Sequence, residues 1–376
     1  MAARKKKIRA DLRKNRTQRP RDTDMTRHFD GENSTTDDLP SGERVSGKGE
    51  LTRKRTVMGA ETGDDDTGFR VVLDVDATCL PGRVLSVHGL SSTVEAADRQ
   101  LHRCATRRLL KTLSTDQRHV VAAGDRVLFR PAEGNEGFIE RVEPRTGVLS
   151  RNSRGRQHII VTNVDQLLIV SSAAEPYLKP NLIDRFLISA HKSNLRPLIV
   201  INKVDLVDPA SLQPLVGVYS QMGYQVLLAS AKTGANIDRL RRELSGRASA
   251  VAGQSGVGKS SLLNTVDSEL RLRVASVSSE TQKGRHTTTT ARLWPLKTGG
   301  YVVDTPGIRQ FELWDVIPAE VAGYFKDLRP YESLCRFPDC THTHEVDCGV
   351  KNAVADGRLD ARRYESYCQL IEGDSP

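Results

Sequence analysis

The sequence predicts a multidomain chain: an N-terminal β-barrel, a central α/β domain built on a parallel sheet, and a helical, cysteine-rich C-terminal end, all behind a polar arm. Three observations carry this. Short apolar runs broken by turn residues occupy about residues 68–150. From about residue 160, buried-type strands alternate with helical patterns, which is how a parallel sheet with crossover helices reads. Three of the six cysteines, Cys335, Cys340 and Cys348, fall within fourteen residues near the C-terminal end. The 376 residues suffice for two or three domains at roughly 100–200 residues each.

Residues 1–67 are expected to form a disordered basic arm. Runs such as Arg4-Lys5-Lys6-Lys7 and Asp64-Asp65-Asp66 bury too little surface to offset the entropy of ordering. Residues 1–30 carry eleven Lys and Arg against four Asp, a net +7, where the whole chain is +9. An arm so charged is expected to neutralise the phosphates of a polyanion. No stretch approaches ~18 uninterrupted apolar residues, so no membrane-spanning helix is expected. No apolar segment follows the N-terminal basic residues, so no secretory signal is expected either. Few, clustered cysteines in such a chain favour a metal over disulfides, and the compartment reads as cytoplasmic.

Residues 68–150 are assigned to an OB-type, RNA-binding barrel. Strands are expected at Phe69–Leu73, Gly82–Val87, Asp125–Phe129 and Gly137–Val142, punctuated by Gly124-Asp125 and Glu133-Gly134-Asn135. The basic segment Arg103–Lys111 alongside them is expected to face nucleic acid.

Residues 151–312 form the α/β domain. Its strands are expected at Gln166–Val170, Pro197–Ile201, Gln225–Leu228 and Ala248–Ala252, with helices at Leu182–His191 and Ile237–Leu244. The run Gly253-Gln254-Ser255-Gly256-Val257-Gly258-Lys259-Ser260 is a G-x-x-x-x-G-K-S loop between the strand Ala248–Ala252 and a helical run that starts Ser261-Leu262-Leu263. Backbone N–H groups in such a turn cradle phosphates, and the helix N-terminus adds a favourable dipole. Lys259 would reach the β and γ phosphates, and the Ser260 hydroxyl would bind Mg²⁺. Asn202-Lys203-Val204-Asp205 follows the strand Pro197–Ile201 at the carboxyl edge of the sheet. A carboxylate there accepts from both N1–H and N2–H₂ of guanine, a donor pair that adenine lacks. Ser230-Ala231-Lys232 ends the next strand and suits backbone contact with guanine O6. The nucleotide is therefore GTP.

Asp304-Thr305-Pro306-Gly307 follows Tyr301–Val303; Asp304 would hold Mg²⁺ through water and the Gly307 N–H would sense the γ phosphate. Between Ser260 and Asp304 lies Gly284-Arg285-His286-Thr287-Thr288-Thr289-Thr290. One of these threonines is expected to complete the Mg²⁺ shell; spacing does not decide which, and Thr288 is carried as the candidate. The order of the motifs is unusual. The guanine-reading segments precede the phosphate loop, which precedes Asp304–Gly307, so the domain is a circularly permuted P-loop GTPase.

Residues 313–376 hold Cys335-x₄-Cys340-x-His342-x₅-Cys348, three thiolates and an imidazole, a closed set for one structural zinc ion. His344 is a competing nitrogen ligand, while Cys79, Cys104 and Cys368 read as ordinary thiols.

The permuted order, the barrel before it and the cysteine-histidine segment after it resemble the RsgA (YjeQ) family of bacterial small ribosomal subunit biogenesis GTPases, over about residues 68–370. The resemblance implies an OB-fold, a permuted GTPase domain and a zinc-binding helical domain. It implies hydrolysis of GTP to GDP, stimulated by the small ribosomal subunit during its late maturation, with rRNA as partner. By position it puts GTP binding on Asn202–Asp205 and Gly253–Ser261, and zinc on Cys335, Cys340, His342 and Cys348. Ile308 stands after Gly307, where many GTPases place a water-orienting Gln, and the resemblance points to His286 for that role. The long N-terminal arm departs from the family pattern. The chain is expected to act as a monomer and without a membrane, the GTP-bound form docking on rRNA and hydrolysis releasing it. The alternative is a nucleotide-gated rRNA-binding module whose turnover is incidental.

Overall fold

The computed structural model describes residues 6–11, 54–60, 70–71, 78–106, 121–153, 156–272, 291–304 and 318–372. They fall into two compact units. The first runs to Glu143, apart from Val84–Val87 and Ala122–Asp125, which belong with the second, and the second continues from Pro144.

In the first unit, β1 (Lys6–Asp11) pairs antiparallel with β2 (Lys54–Ala60), and β2 with β3 (Arg70–Val71), as a separate three-stranded sheet. Two stretches of the arm expected to be unfolded are therefore strands. The register sets Ile8 opposite Val57, one apolar β-branched pair within a charged region. Phe69–Leu73, expected as the first barrel strand, instead contributes Arg70–Val71 to this sheet.

The barrel consists of β4 (Leu80–His88), β5 (Ser91–Ala96), β6 (Leu101–Thr106), β7 (Arg126–Pro131) and β8 (Glu136–Val142). The strand order is β4-β5-β6-β8-β7, and β7 closes the ring by pairing with β4. The β6–β8 pair is parallel and the β5–β6 pair antiparallel, which is OB-type connectivity. Val84, Val94, Cys104, Phe129 and Ile139 fill the interior and are all fully buried. Arg103–Thr106, the first part of the basic segment Arg103–Lys111 expected beside the barrel, belongs to strand β6, in which His102 and Cys104 turn inward while Leu101 and Arg103 turn out; the rest of that segment lies outside the described residues.

In the second unit a hairpin, β9 (Leu149–Ser153) with β10 (Arg156–Val161), precedes the α/β layer. The main sheet runs β13 (Gln225–Leu228), β12 (Arg196–Asn202), β11 (Gln166–Ser172), β14 (Ala248–Ala252), β16 (Tyr301–Asp304), β15 (Arg292–Pro295). All neighbours are parallel except β15 on β16. Every residue of β11 is buried, because helices cover both faces. Leu167 and Ile169 pack with α1 (Pro180–Lys192) and α2 (Gln213–Gln221), while Leu168 and Val170 pack with α3 (Ile237–Leu244) and α4 (Lys259–Val266). The chain leaves β11 to one face and β14 to the other, so the crevice beyond their carboxyl ends is where such sheets hold ligands.

The helical end comprises α5 (Pro318–Tyr324), α6 (Arg329–Glu332), α7 (Gly349–Ala355) and α8 (Ala361–Glu372). Its core of Val321, Phe325, Leu328, Val350 and Tyr367 also includes Ile188 of α1. Arg363 of α8 is 4% exposed and makes this packing specific. Its guanidinium pairs with buried Asp184 on α1, donates to both Asp327 oxygens at 2.8 and 2.9 Å, and lies 4.2 Å from the Phe325 ring centre. The Tyr219 hydroxyl of α2 donates to the same Asp184 at 2.8 Å. Burial pushes the Asp184 carboxyl above its ordinary range, and Arg363 opposes that shift. Among the described residues no helix is long and apolar enough to cross a membrane.

Arg363→Ala is expected to lower the free energy of unfolding by about 3–5 kcal/mol, because Asp184 and Asp327 lose their cationic partner inside the protein. Urea titration followed by circular dichroism measures it. Adding Asp184→Asn should return part of the loss, since one buried charge is then gone.

Candidate functional site

The phosphate-type loop leaves β14 through glycines whose backbones no other residue adopts easily. Gly253 has φ +143°, and a Cβ there would lie 2.1 Å from the Val170 carbonyl oxygen. Gly258 has φ +87°, and a Cβ there would lie 2.5 Å from Asn202 Nδ2. α4 then starts at Lys259 with no side-chain cap, which leaves its N-terminus to an anion rather than to a hydroxyl or carboxylate of the chain. Lys259 Nζ donates to the carbonyls of Gly253 and Gln254, both at 2.8 Å, which sets the ammonium over the loop.

The two segments expected to read the base meet this loop through one side chain. Asn202, 1% exposed at the end of β12, donates from Nδ2 to Val257 O at 2.9 Å and accepts at Oδ1 from Ala231 N at 3.2 Å. Lys203 turns into the left-handed region at φ +62° and donates from Nζ to the Glu175 carbonyl. Asp205 lies in a short 3₁₀ turn, Val204–Leu206, and accepts from Ser230 Oγ at 2.6 Å. That hydroxyl in turn accepts from the N–H groups of Lys232 and Thr233, at 3.2 and 3.1 Å. The Ser230 hydrogen bond, helped by the Lys232 and Lys203 cations, holds the Asp205 carboxyl below the usual carboxylate range. The group is thus an ionised acceptor at neutral pH. Lys203, Asp205, Leu206, Lys232, Gly258 and Ser261 line one cleft of about 370 Å³. A flat heterocycle presenting two adjacent N–H donors, with an anionic tail toward α4, matches this arrangement.

A second centre lies in the helical end. The ligand atoms of Cys335, Cys340, His342 and Cys348 all lie within 4.8 Å of one another. Cys335 Sγ is 3.8 Å from Cys348 Sγ, and His342 Nδ1 is 3.4 and 3.5 Å from these two sulfurs. A tetrahedral zinc ion with Zn–S ~2.3 Å and Zn–N ~2.0–2.1 Å requires S···S of about 3.8 Å and S···N of about 3.5 Å. The donor set fits one zinc ion and leaves no open position. His342 reaches it from a left-handed backbone, φ +61°, with its carbonyl accepting from Tyr364 Oη at 2.8 Å. Tyr367 Oη donates to the Thr341 carbonyl at 2.8 Å, so α8 fixes the loop twice. The side chain of His344, the competing nitrogen, is 81% exposed and outside the cluster. Cys79, Cys104 and Cys368 lie outside the cluster and in no disulfide, and burial in the barrel pushes Cys104 up to about 12, leaving it protonated and inert.

The RsgA GTPase family model matches residues 142–314. The small ribosomal subunit biogenesis GTPase RsgA of Pectobacterium carotovorum is 39% identical over 339 residues, covering 88% of this chain and 92% of that one. Its counterpart in Sodalis glossinidius is 39% identical over 301 residues, covering 77% and 85%. The chain belongs to the RsgA GTPase family. The crystal structure of YjeQ from Thermotoga maritima superposes with a TM-score of 0.66 at 37% identity, over 78% of this chain and 98% of that one. YloQ, described as a circularly permuted GTPase, gives 0.61 at 26% identity over 81% and 99%.

In this RsgA-family chain the structure brings together Asn202–Asp205, Ser230–Lys232 and Gly253–Ser261 around the carboxyl ends of β12, β13 and β14. Asp304 ends β16, paired in register with Arg292. His286, Thr288, Gly307 and Ile308 lie outside the described residues. Two participants had no signal in the motifs. Leu206 lines the cleft directly after Asp205, and the Glu175 carbonyl anchors Lys203. A backbone acceptor carries no residue signature, so only the folded chain reveals it.

Cys348→Ser is expected to lose tightly held zinc, from about one ion per chain to nearly none after dialysis, since a structural site needs all four donors. Metal analysis with a thermal melt of the same samples checks it, and the helical end should melt earlier than the rest.

Proposed function

We propose that the chain hydrolyses GTP as a maturation factor of the small ribosomal subunit, the role that its relatives' names carry. The observation that supports this most is the convergence of three sequence-distant segments on one cleft, joined by the Asn202 amide. The Asp205 carboxylate reads the guanine N1–H and N2–H₂, and the Ser230–Lys232 turn faces O6. Gly253–Ser261 cradles the phosphates, with Lys259 against the β and γ groups and Gly307 at the γ end. Ser260, Asp304 and one threonine of 287–290, with Thr288 the candidate, hold Mg²⁺, which neutralises the charge developing on the phosphates. His286 orients the attacking water, because the Ile308 side chain has no polar atom to do so. Cys335, Cys340, His342 and Cys348 hold one structural zinc ion. The GTP-bound form docks on rRNA and hydrolysis releases it; the basic arm adds phosphate contacts.

Asp205→Asn should weaken GTP binding roughly 10- to 150-fold, the worth of hydrogen bonds to a charged group. It should favour xanthosine triphosphate, because an amide offers one donor and one acceptor to a base with a carbonyl at position 2. Competition binding of the two nucleotides decides it, and unaltered GTP affinity would refute the base assignment. His286→Ala should bind GTP and purified small subunits normally, yet lose about 10²–10⁴-fold of the subunit-stimulated turnover. Full stimulated turnover in that variant would remove the histidine from the mechanism.

A further inference from the structure

The loop between β11 and α1, Ala173–Lys179, is tied to the base-reading segment. Ala173 N donates to the Asn202 carbonyl at 2.8 Å. The Glu175 carbonyl accepts from Ser172 Oγ at 3.0 Å and also from Lys203 Nζ. The far end of the loop is fixed as well. In the first turns of α1, Asn181 Nδ2 donates to Gln369 Oε1 at 2.8 Å and Asp184 pairs with Arg363. Between these anchors stands Tyr177, 88% exposed, the highest value of any large apolar side chain among the described residues. Glu175 and Lys179, two positions to either side, are exposed too.

A lone exposed apolar residue is ordinary; a ring on a loop held at both ends, one carbonyl away from a residue of the base cleft, is placed to report contact. Recognition of unpaired RNA works by stacking bases on aromatic faces, with nearby cations on the phosphates. Tyr177 supplies the face and Lys179 the cation. We propose that Ala173–Lys179 is a docking loop for an unpaired base of the small-subunit rRNA, stacked on Tyr177, and that docking is felt at the base cleft through the Glu175 carbonyl and Lys203. This rests on the reading above that the chain docks on the small subunit. Any movement of the Glu175 carbonyl changes what holds Lys203, so subunit affinity and guanine-nucleotide affinity are coupled, each by the same factor.

The test uses the full chain, purified small subunits and a non-hydrolysable GTP analogue. Tyr177→Ala should bind the analogue as the wild type does when free. It should bind subunits about 5- to 150-fold more weakly, the range for loss of one stacked base, and lose the change in nucleotide affinity that subunits cause in the wild type. Tyr177→Phe, which keeps the stacking face, should restore both. A photo-reactive phenylalanine analogue in place of Tyr177 should cross-link to rRNA. Wild-type subunit binding by Tyr177→Ala, failure of Tyr177→Phe to restore it, or cross-linking to a ribosomal protein would each overturn the docking loop alone. A wild-type chain that does not bind subunits would overturn the functional reading and this inference with it.

Discussion

One buried amide organises the cleft at the carboxyl ends of β12, β13 and β14. Asn202 has a donor and an acceptor, and each is spent on a backbone group of a different loop: Val257 on one side, Ala231 on the other. No other residue type of that size offers both functions at once in a fixed plane. Gly258 is the complementary constraint, since any side chain there would occupy the space of the amide nitrogen. Strand β12 delivers Asn202 in register with β11, and β11 in turn sets the height of β14 and its loop. The position of Asp205, the Ser230 turn and the phosphate-type loop therefore follow from a single side chain and the ladder beneath it.

The permuted order of the motifs leaves this geometry intact because a sheet is specified by which strands neighbour each other, not by which is synthesised first. β14, which carries the glycine-rich loop, sits in the interior between β11, earlier in the chain, and β16, later. Alternate residues of β11 feed separate cores on the two faces, so its register is fixed by two independent sets of contacts.

The α/β region was the most legible part of the sequence. Gln225–Leu228, Ile237–Leu244 and Ala248–Ala252 coincide with their expected bounds, because each of the two strands has only one polar residue and the helix shows a strong one-sided pattern. The barrel was less so. Ser91–Ala96 buries polar Ser92 and Glu95, and Leu101–Thr106 turns Leu101 out and His102 in, so polarity does not track burial in either strand. The ring also closes through pairings such as Leu80 with Phe129, which no local pattern encodes. In the Cys₃His cluster the sequence named all four donors with His344 as a competitor, and a left-handed backbone at His342 with two tyrosines of α8 sets His342 among them. The arm defeated composition altogether at Lys6–Asp11 and Lys54–Ala60, where the partner strand lies more than forty residues away.

The Arg363–Asp184 pair has a consequence for how the protein is made. The carboxylate belongs to the helix that follows the first strand of the α/β sheet, while its cation arrives on the last helix of the chain. At about 5–20 residues per second, a ribosome needs on the order of ten to thirty seconds to travel from one to the other. Until then the Asp184 carboxyl of α1 has the Tyr219 hydroxyl beside it but not its cation, and closing that side buries it without a charge partner. Synthesis of the α/β layer is thus completed by its C-terminal neighbour: a nascent chain that stalls short of α8 holds every nucleotide motif and still lacks the partner that lets α1 settle.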